Sequence, residues 1–405
     1  MSPEKPLRVG MITLWDAEDP TVMSGMPYHM MKAFEGSGVE LVHLSPEKPE
    51  QQATPRHSPI KLLLDSPPGR KLRARVQLRR KRLNLLKEHA QTHAEVIAAA
   101  RAASERINKQ IVGENLDALY GLCMSTAIPG LETDLPIVYA SDGTAQLLFD
   151  TYLNYAAHGE GYRKACMELE NIAMARVDVA VFPSRRSLES AIEDHGLPRT
   201  KGRLLPFGAN ITARTDQRLE PDSPSRERLE LVLVAADPVR KRLDFCVEIT
   251  ELLRSRGVHA SLNSIGTSTA RAGASPFVNS FGRLSMSKAS DRVLHQDVLQ
   301  RSHLMLLPSL GELFGIAPGE AAHFGRPSLV SDVGGLPTVV DHGCSGLVLP
   351  KDASAEDYAD EITSLVDDSN RYQALSAGAL ERANSVLNWE VFAREMGLIM
   401  REVCR

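Results

Sequence analysis

The sequence lacks the features that would place a protein in a membrane, outside the cell or on nucleic acid. No apolar run approaches the roughly eighteen residues needed to cross a bilayer, and the first six residues have neither region of a signal peptide. The net charge is only −4, which argues against general nucleic-acid binding. We therefore expect a cytoplasmic protein.

Cysteine is scarce and irregularly placed. The five cysteines are widely spaced and include no Cys-x-x-Cys pair. An odd number without a pairing pattern indicates reduced thiols in a reducing compartment. The chain also has no internal repeat and no low-complexity tract, which argues against a solenoid.

Short apolar runs alternate with helical stretches from the start of the chain. Residues 8–14 read as a buried strand, Gly25 lies in the loop that follows, a helix runs to about residue 35, and residues 39–44 form the next strand. This succession begins a doubly wound α/β domain. Because 405 residues exceed what one hydrophobic core usually serves, we expect two domains.

The second domain begins after a polar stretch. Residues 212–226 are polar and contain two prolines, which suits a linker, and the apolar run 229–236 then starts a new strand. Arg240 and Lys241 follow at once. Cations at the carboxyl end of a strand lie where an α/β domain binds a diphosphate. The alternative is that they are solvated charges at a strand end.

Residues 304–327 carry the most informative pattern. An apolar run of strand length passes through a loop rich in glycine and proline and resumes as a helix. The first amides of such a helix have no partner within it, and its dipole favours a phosphate there. Gly315 and Gly319 let a ligand approach the backbone closely.

Two carboxylates in this segment have the spacing Glu-x7-Glu, with Glu312 on the loop and Glu320 inside the helix. They should face one crevice at different depths. Carboxylates accept hydrogen bonds from hydroxyls and can hold a diol, and a nucleotide sugar has hydroxyls at both ends of a diphosphate. The alternative is a solvated loop residue and a carboxylate that merely suits the helix dipole.

This pattern resembles the signature of the retaining GT-B glycosyltransferases of family 4, the glycosyl transferases group 1. The resemblance covers most of the chain; it is strongest over 229–350 and weakest over 45–115. The residues that continue the pattern are Phe314-Gly315, Glu320-Ala321, Gly325-Arg326-Pro327, and the stretches 331–337 and 343–346.

The resemblance implies an α/β fold of the GT-B type, with two Rossmann-like doubly wound domains facing a cleft. Residues 1–210, completed by a C-terminal helix at about 388–405, would form the acceptor side, and residues 211–387 the donor side. The implied reaction moves a hexose-type sugar from a nucleotide diphosphate sugar to an acceptor hydroxyl, with retention. No cofactor and no metal are expected, since no Asp-x-Asp motif is present and a cationic site replaces the divalent ion.

The same resemblance assigns roles to side chains. Glu312 would contact the donor hexose and Glu320 the ribose diol, while Lys241 would neutralise the departing diphosphate. Relatives often have an Arg five positions before this Lys. Ala236 stands there in this chain, so Arg240 is the substitute.

Backbone groups are also assigned to the donor by the resemblance. Gly25 would lie near the sugar and phosphate, although relatives often have a Gly pair and Met26 occupies the second position here. Because backbone recognition leaves little side-chain signature, the nucleobase stays open. The assigned positions are Gly282, Arg283 and Leu284 for the base and Phe314, Gly315 and Ile316 for the diphosphate.

Asp142 departs from the family pattern. Many relatives have a histidine that approaches the donor hexose at this position; the Ser-Asp-Gly-Thr here is similar to a Ser-Asp-Ala-Thr variant in a subset of the family. A carboxylate there can bind a sugar hydroxyl or take the acceptor's proton, so we count Asp142 as a catalytic candidate. The alternative is a turn-forming Asp before a Gly.

A basic segment precedes the second helical stretch. Residues 70–87 contain nine basic residues and no acid, and their apolar positions recur at helical spacing. Such a helix suits peripheral contact with an anionic membrane at its inner face, or an anionic, lipid-linked acceptor of polysaccharide or glycolipid assembly. A solvated basic face on an ordinary helix is the alternative.

Two other classes of function remain open. A glycoside phosphorylase or a nucleotide-sugar epimerase uses a similar fold, although a phosphorylase would need a phosphate or pyridoxal site. A non-catalytic nucleotide-sugar-binding protein is favoured by the missing histidine and arginine. Fold alone does not decide between them, whereas binding without turnover would identify the last.

Overall fold

The computed structural model describes residues 5–14, 17–46, 91–152, 155, 158–211 and 223–405. The expected basic helix at 70–87 and most of the expected linker at 212–226 lie outside the described residues. Within those residues the strands form two parallel six-stranded sheets. None of the described helices is long and apolar enough to cross a membrane.

The first sheet has the strand order β2-β1-β3-β4-β5-β6, with every neighbouring pair parallel. Most of these strands are continuously apolar because helices cover both faces of the sheet. Since β2 and β3 lie on opposite sides of β1, the chain reverses direction across the sheet there. The strands are β1 Leu7–Ile12, β2 Val39–Leu44, β3 Ala118–Leu122, β4 Ile137–Ala140, β5 Val179–Phe182 and β6 Gly202–Leu204.

Five helices of the described residues accompany this sheet. The second begins at a capping box, in which Thr92 accepts the amide N–H of Glu95 while the Glu95 carboxylate accepts that of Thr92. A 3₁₀ turn at Val22–Gly25 precedes the first helix. The helices are α1 Met26–Phe34, α2 His93–Ile111, α3 Ala145–Thr151, α4 Glu160–Arg176 and α5 Arg185–Glu193.

The second sheet has the order β12-β11-β10-β7-β8-β9 and is again parallel throughout. Its order reverses at β7, whose neighbours are β10 and β8. A crevice outside the carboxyl ends of β7 and β10 is the usual ligand position in such a sheet. The strands are β7 Leu229–Ala235, β8 Ala260–Gly266, β9 Val278–Gly282, β10 Leu304–Leu307, β11 Ser328–Ser331 and β12 Gly346–Leu349.

In the second half of the chain, the described residues from 223 onward form eight helices. The helix expected at 293–302 begins earlier, at Ala289, and ends at Arg301. The helices are α6 Leu243–Ser255, α7 Ala270–Ala274, α8 Ala289–Arg301, α9 Ile316–Ala322, α10 Leu336–Val339, α11 Ala355–Asp367, α12 Ser369–Ser385 and α13 Trp389–Val403.

The last helix, α13, returns to the first sheet. Trp389, Phe392 and Met396 are buried in the core that surrounds β1 and β3. The Trp389 ring stacks on Phe207 with 5.6 Å between centroids. A Cβ on Gly208 would lie 2.3 Å from the Trp389 backbone nitrogen, so this close approach requires glycine. The C-terminal helix therefore belongs to the first structural half.

Candidate functional site

A cavity of about 700 Å³ lies between the two sheets, at the carboxyl ends of their strands. Both carboxylates of the Glu-x7-Glu pattern line it. Of the predicted site residues, only Gly25 and Gly282 are not part of the lining, and each is next in sequence to a residue that is. The predicted residues that line the cavity are Asp142, Arg240, Lys241, Arg283, Leu284, Glu312, Phe314, Gly315, Ile316 and Glu320.

The centre of the cavity is a three-residue charge cluster. Because β7 and β10 are adjacent and parallel, the loops that follow them meet at one edge of the sheet. Arg240 Nη1 lies 2.9 Å from Glu312 Oε1, and Lys241 Nζ lies 3.0 Å from the same oxygen. The Ser309 hydroxyl also donates to that oxygen, at 2.8 Å. One Glu312 oxygen thus contacts two cations that lie about seventy positions earlier in the sequence.

This cluster carries a net positive charge. Burial by itself would raise the pKa of Glu312, but the charges of Lys241 and Arg240 and the hydrogen bonds from Lys241 and Ser309 outweigh it and hold that pKa below its ordinary value. Glu312 is therefore ionised and two cations face one anion. A surplus of positive charge inside a cavity favours an anionic ligand.

The loop between Glu312 and α9 depends on glycine. Gly315 has a φ of 93°, in the left-handed region, and no side chain caps the helix that begins after it. A Cβ on Gly315 would also lie 2.5 Å from the Leu336 side chain. The backbone of Phe314, Gly315 and Ile316 therefore follows the cavity wall closely, beside the charge cluster.

Glu320 lies on α9, and its carboxyl is in a different electrostatic state from that of Glu312. Burial raises its pKa to about 8, although the charge of Lys241 pulls the pKa down. Glu320 Oε2 lies 3.7 Å from Nε2 of His295 on α8. The two glutamates of one motif thus differ, since Glu312 is ionised by its cations and Glu320 holds a proton at neutral pH.

Asp142 faces the cavity from the first half, in the turn between β4 and α3. Burial raises its pKa to about 6, against the amides of Asp142 and Gly143, which lower it. The Ser187 hydroxyl on α5 donates to the Asp142 carbonyl at 2.8 Å. A Cβ on Gly143 would lie 2.7 Å from the Leu313 side chain, so the turn approaches the Glu312 loop. The two halves of the chain are close together at this point.

The buried Glu170 carboxyl stabilises the start of α3, directly after this turn. The amide N–H of Ala145, the first residue of α3, donates to Glu170 Oε2 at 2.5 Å. His195 lies 3.8 Å from the same oxygen, and its Nδ1 lies 2.8 Å from Asn171 Oδ1. Burial raises the pKa of Glu170 to about 8, while the bond from Ala145 opposes the rise.

A Glu170→Gln variant is expected to gain stability relative to the wild type as pH rises. Folding raises the Glu170 pKa from an ordinary 4.5 to about 8, so between these values the unfolded chain loses a proton that the folded chain keeps. The wild-type free energy of unfolding therefore falls with pH across this window. Glutamine cannot ionise, and its oxygen still accepts the Ala145 bond.

We expect the variant's advantage to be near zero at pH 4.5 and to reach a few kcal/mol by pH 8.5. Urea unfolding at both pH values measures it. The exposed Glu189→Gln on α5 is the matched control and should follow the wild type. An advantage that does not change with pH would show that Glu170 titrates ordinarily.

Several lining residues had no usable signal in the sequence. Met23 and Ser24 adopt left-handed φ values of 46° and 58°, which non-glycine residues seldom do. The Tyr152 ring lies beneath the Arg240 guanidinium, 5.1 Å from centroid to carbon. His295 was missed because Val298 and Leu299, three and four residues on, give it the spacing of a core position. These contacts depend on pairings between distant parts of the chain.

Known proteins resemble this chain in sequence and in structure. Residues 228–368 match the family model described as Glycosyl transferases group 1. The matched segment lies within the second structural half. A D-inositol 3-phosphate glycosyltransferase from Nocardioides sp. is 28% identical over 229 residues, which are 54% of this chain and 45% of the relative. The chain thus matches less than half the length of that curated relative.

Solved structures extend the likeness to the whole fold. The sucrose-phosphate synthase from Thermosynechococcus elongatus matches with a TM-score of 0.66 at 17% identity, over 98% of this chain and 99% of that one. WaaG, a glycosyltransferase involved in lipopolysaccharide biosynthesis, matches with a TM-score of 0.59 at 15% identity, over 97% and 99%. The chain has the expected GT-B fold, and the segment that matches the group 1 family model lies in its second half.

Proposed function

We propose that the protein is a retaining glycosyltransferase that moves a hexose-type sugar from a nucleotide diphosphate sugar to an acceptor hydroxyl. The observation that carries this proposal is the cluster of Arg240, Lys241 and Glu312 inside the cavity between the sheets. Its net positive charge suits a diphosphate, and the membership of residues 228–368 in the group 1 family supports a nucleotide-sugar donor.

The donor's orientation is proposed from the roles that the family resemblance implies for residues that line one cavity. The diphosphate lies against Lys241 and Arg240, with the amides of residues 314–316 beside it. The sugar then extends toward Glu312 and Asp142, and the nucleoside toward Glu320 and the loop of residues 283–286. The loop at Gly25 borders the sugar and phosphate.

The chemistry proposed is electrostatic. As the bond between the anomeric carbon and the diphosphate oxygen breaks, negative charge grows on the leaving group, where fixed cations lower the barrier most. The acceptor oxygen attacks on the face that the diphosphate leaves, and the diphosphate takes its proton. This accounts for retention without a dedicated protein base and without a metal. Asp142, with a pKa near 6, orients a hydroxyl of the sugar or of the acceptor.

For the acceptor, we propose a hydroxyl compound that carries negative charge, in cell-surface polysaccharide or glycolipid assembly. The Nocardioides relative is named for D-inositol 3-phosphate, and WaaG is described by its involvement in lipopolysaccharide biosynthesis; both names support this class of acceptor. The basic segment 70–87, which lies outside the described residues, has the charge to attract such an acceptor.

A nucleotide-sugar-binding protein without activity is the second candidate. It is favoured by Asp142 where relatives often have histidine and by Ala236 where they often have arginine. Arg240 opposes it, since its Nη1 lies 2.9 Å from Glu312 and supplies the second cation.

The test is turnover of UDP-, GDP- and ADP-sugars with a panel of phosphorylated and lipid-linked acceptors, including D-inositol 3-phosphate. We expect one donor to release its nucleoside diphosphate in the presence of one acceptor, and NMR of the product to show the donor's anomeric configuration. An inverted product would contradict the retaining mechanism. Binding of a donor without turnover across the panel would favour the second candidate.

A further inference from the structure

His295 and Glu320 form a pair of buried polar side chains that the rest of the protein does not satisfy. Their side chains are 7% and 12% exposed, and both line the cavity. Among the described residues, neither side chain takes part in a hydrogen bond; each lies near the other, and the charge of Lys241 also acts on Glu320. Because both side chains open onto the cavity with their hydrogen-bonding groups unused by the protein, they are available to a ligand there.

The distance within the pair leaves room for a ligand atom. His295 Nε2 and Glu320 Oε2 are 3.7 Å apart, which is longer than a hydrogen bond. An oxygen that lay about 2.8 Å from both atoms would complete a triangle with normal hydrogen-bond lengths. A hydroxyl suits this position because it donates one hydrogen bond and accepts others.

Both members of the pair are uncharged at neutral pH. Burial lowers the pKa of His295 to about 4 and raises that of Glu320 to about 8. A neutral imidazole has one donor and one acceptor, and a protonated carboxyl has one donor and acceptor oxygens. Two adjacent hydroxyls need such a mixture of donors and acceptors, whereas a phosphate needs donors only.

The helix of His295 is preceded by a loop that also lines the cavity. The loop, residues 283–286, connects β9 with α8. This loop is fixed by the Ser285 amide, which donates to the Asp291 carboxylate at 2.8 Å, and by Arg283 Nε, which donates to the Thr267 hydroxyl at 3.0 Å. The wall beside His295 is thus held independently of the ligand.

We propose that His295 is a further nucleotide-binding residue, which together with Glu320 binds the two ribose hydroxyls of the donor and selects ribonucleotides over deoxyribonucleotides. This rests on the proposed function, since it takes the nucleotide sugar as the ligand. His295 acts on one hydroxyl through Nε2 while Glu320 contacts both. Its contribution therefore disappears when that hydroxyl is absent.

The test is calorimetric titration of wild type and His295→Ala with UDP, GDP and ADP and with their 2′-deoxy and 3′-deoxy forms. For the ribonucleotide that binds, we expect His295→Ala to weaken affinity about tenfold, as for one lost hydrogen bond. Affinity for one of the two deoxy forms should change less than about twofold. His295→Asn should recover part of the ribonucleotide affinity.

Two controls distinguish a lost ligand contact from a general effect of the substitution on the protein. The exposed His259→Ala, in the same half of the chain, should bind like the wild type. Thermal melting reports folding, and where the alanine variant does not fold, the asparagine variant is titrated with the same panel and should show smaller discrimination between ribose and deoxyribose than the wild type.

The inference is overturned when His295→Ala weakens ribo and deoxy forms equally, since that is a packing effect, or when the wild type binds all three forms alike. A failure of the proposed function is a different result, in which the wild type binds none of the nucleotides.

Discussion

A Glu312→Gln variant is expected to lose sugar transfer by about 10²- to 10³-fold while binding the nucleoside diphosphate at least as tightly as the wild type. In the structure one oxygen of Glu312 forms ion pairs with Arg240 and Lys241, at 2.9 and 3.0 Å. A neutral amide releases the two cations toward the diphosphate, so ground-state binding is kept or improved. Sugar transfer requires the two cations to be held where negative charge develops on the leaving diphosphate. It also requires the Glu312 carboxylate to contact the hexose.

Steady-state kinetics and calorimetry with the nucleoside diphosphate separate these two effects. Ser309→Ala is the matched control, because it removes the 2.8 Å hydrogen bond to the same oxygen without changing charge. It should reduce transfer by far less. Losses of equal size in binding and transfer for Glu312→Gln would mean that Glu312 only holds the nucleotide. Thermal melting of each variant checks that the site still folds.

Lys241→Ala is expected to lose both properties, in contrast to Glu312→Gln. Lys241 contacts Glu312, as Arg240 does. Its charge also lowers the pKa of Glu320. Removing it leaves Arg240 alone against Glu312, so the cluster has no surplus positive charge for the diphosphate. We expect nucleotide affinity to fall roughly 10- to 100-fold and transfer to fall about 10³-fold.

Calorimetry and kinetics measure both losses, with the exposed Lys351→Ala as a control of the same chemistry outside the cavity. Lys241→Arg should restore much of the affinity, because the charge returns, but less of the transfer, because the guanidinium differs in shape. Unchanged nucleotide affinity in Lys241→Ala would mean that the diphosphate lies elsewhere.

Much of the fold was accessible from local patterns. The run that became β10 is apolar on every residue, and the glycine and proline loop after it marks the start of α9. Two doubly wound halves followed from such successions, and the resemblance to family 4 supplied the GT-B arrangement. Strand order was not accessible, because adjacency of β7 and β10 depends on contacts between residues more than seventy positions apart.

The site residues that belong to one sequence motif could be predicted from the sequence. Those that the fold brings together from distant parts of the chain could not. Glu312, Glu320 and Lys241 stood out by type and spacing. That two cations share one Glu312 oxygen depends on strand pairing, which composition does not contain. His295 has the spacing of a core residue on α8, and only its lack of a partner beside Glu320 distinguishes it.

The left-handed residues before α1 were also beyond sequence reasoning. Such a backbone costs about 1–3 kcal/mol for a non-glycine residue and persists only when surrounding contacts impose it. Here the Asn210 side chain donates to the Ser24 carbonyl and accepts from Trp389 Nε1 at 2.8 Å. The contact joins the first loop, the end of the first half and α13, which are far apart in sequence.

The most direct test of the central claim is calorimetric titration of the purified protein with UDP, GDP and ADP. We expect one of them to bind with one-to-one stoichiometry at micromolar to low-millimolar concentration, and Lys241→Ala to weaken this binding. It is contradicted when none of the three binds at low-millimolar concentration, with or without an acceptor present, or when the binding that is seen does not depend on Lys241.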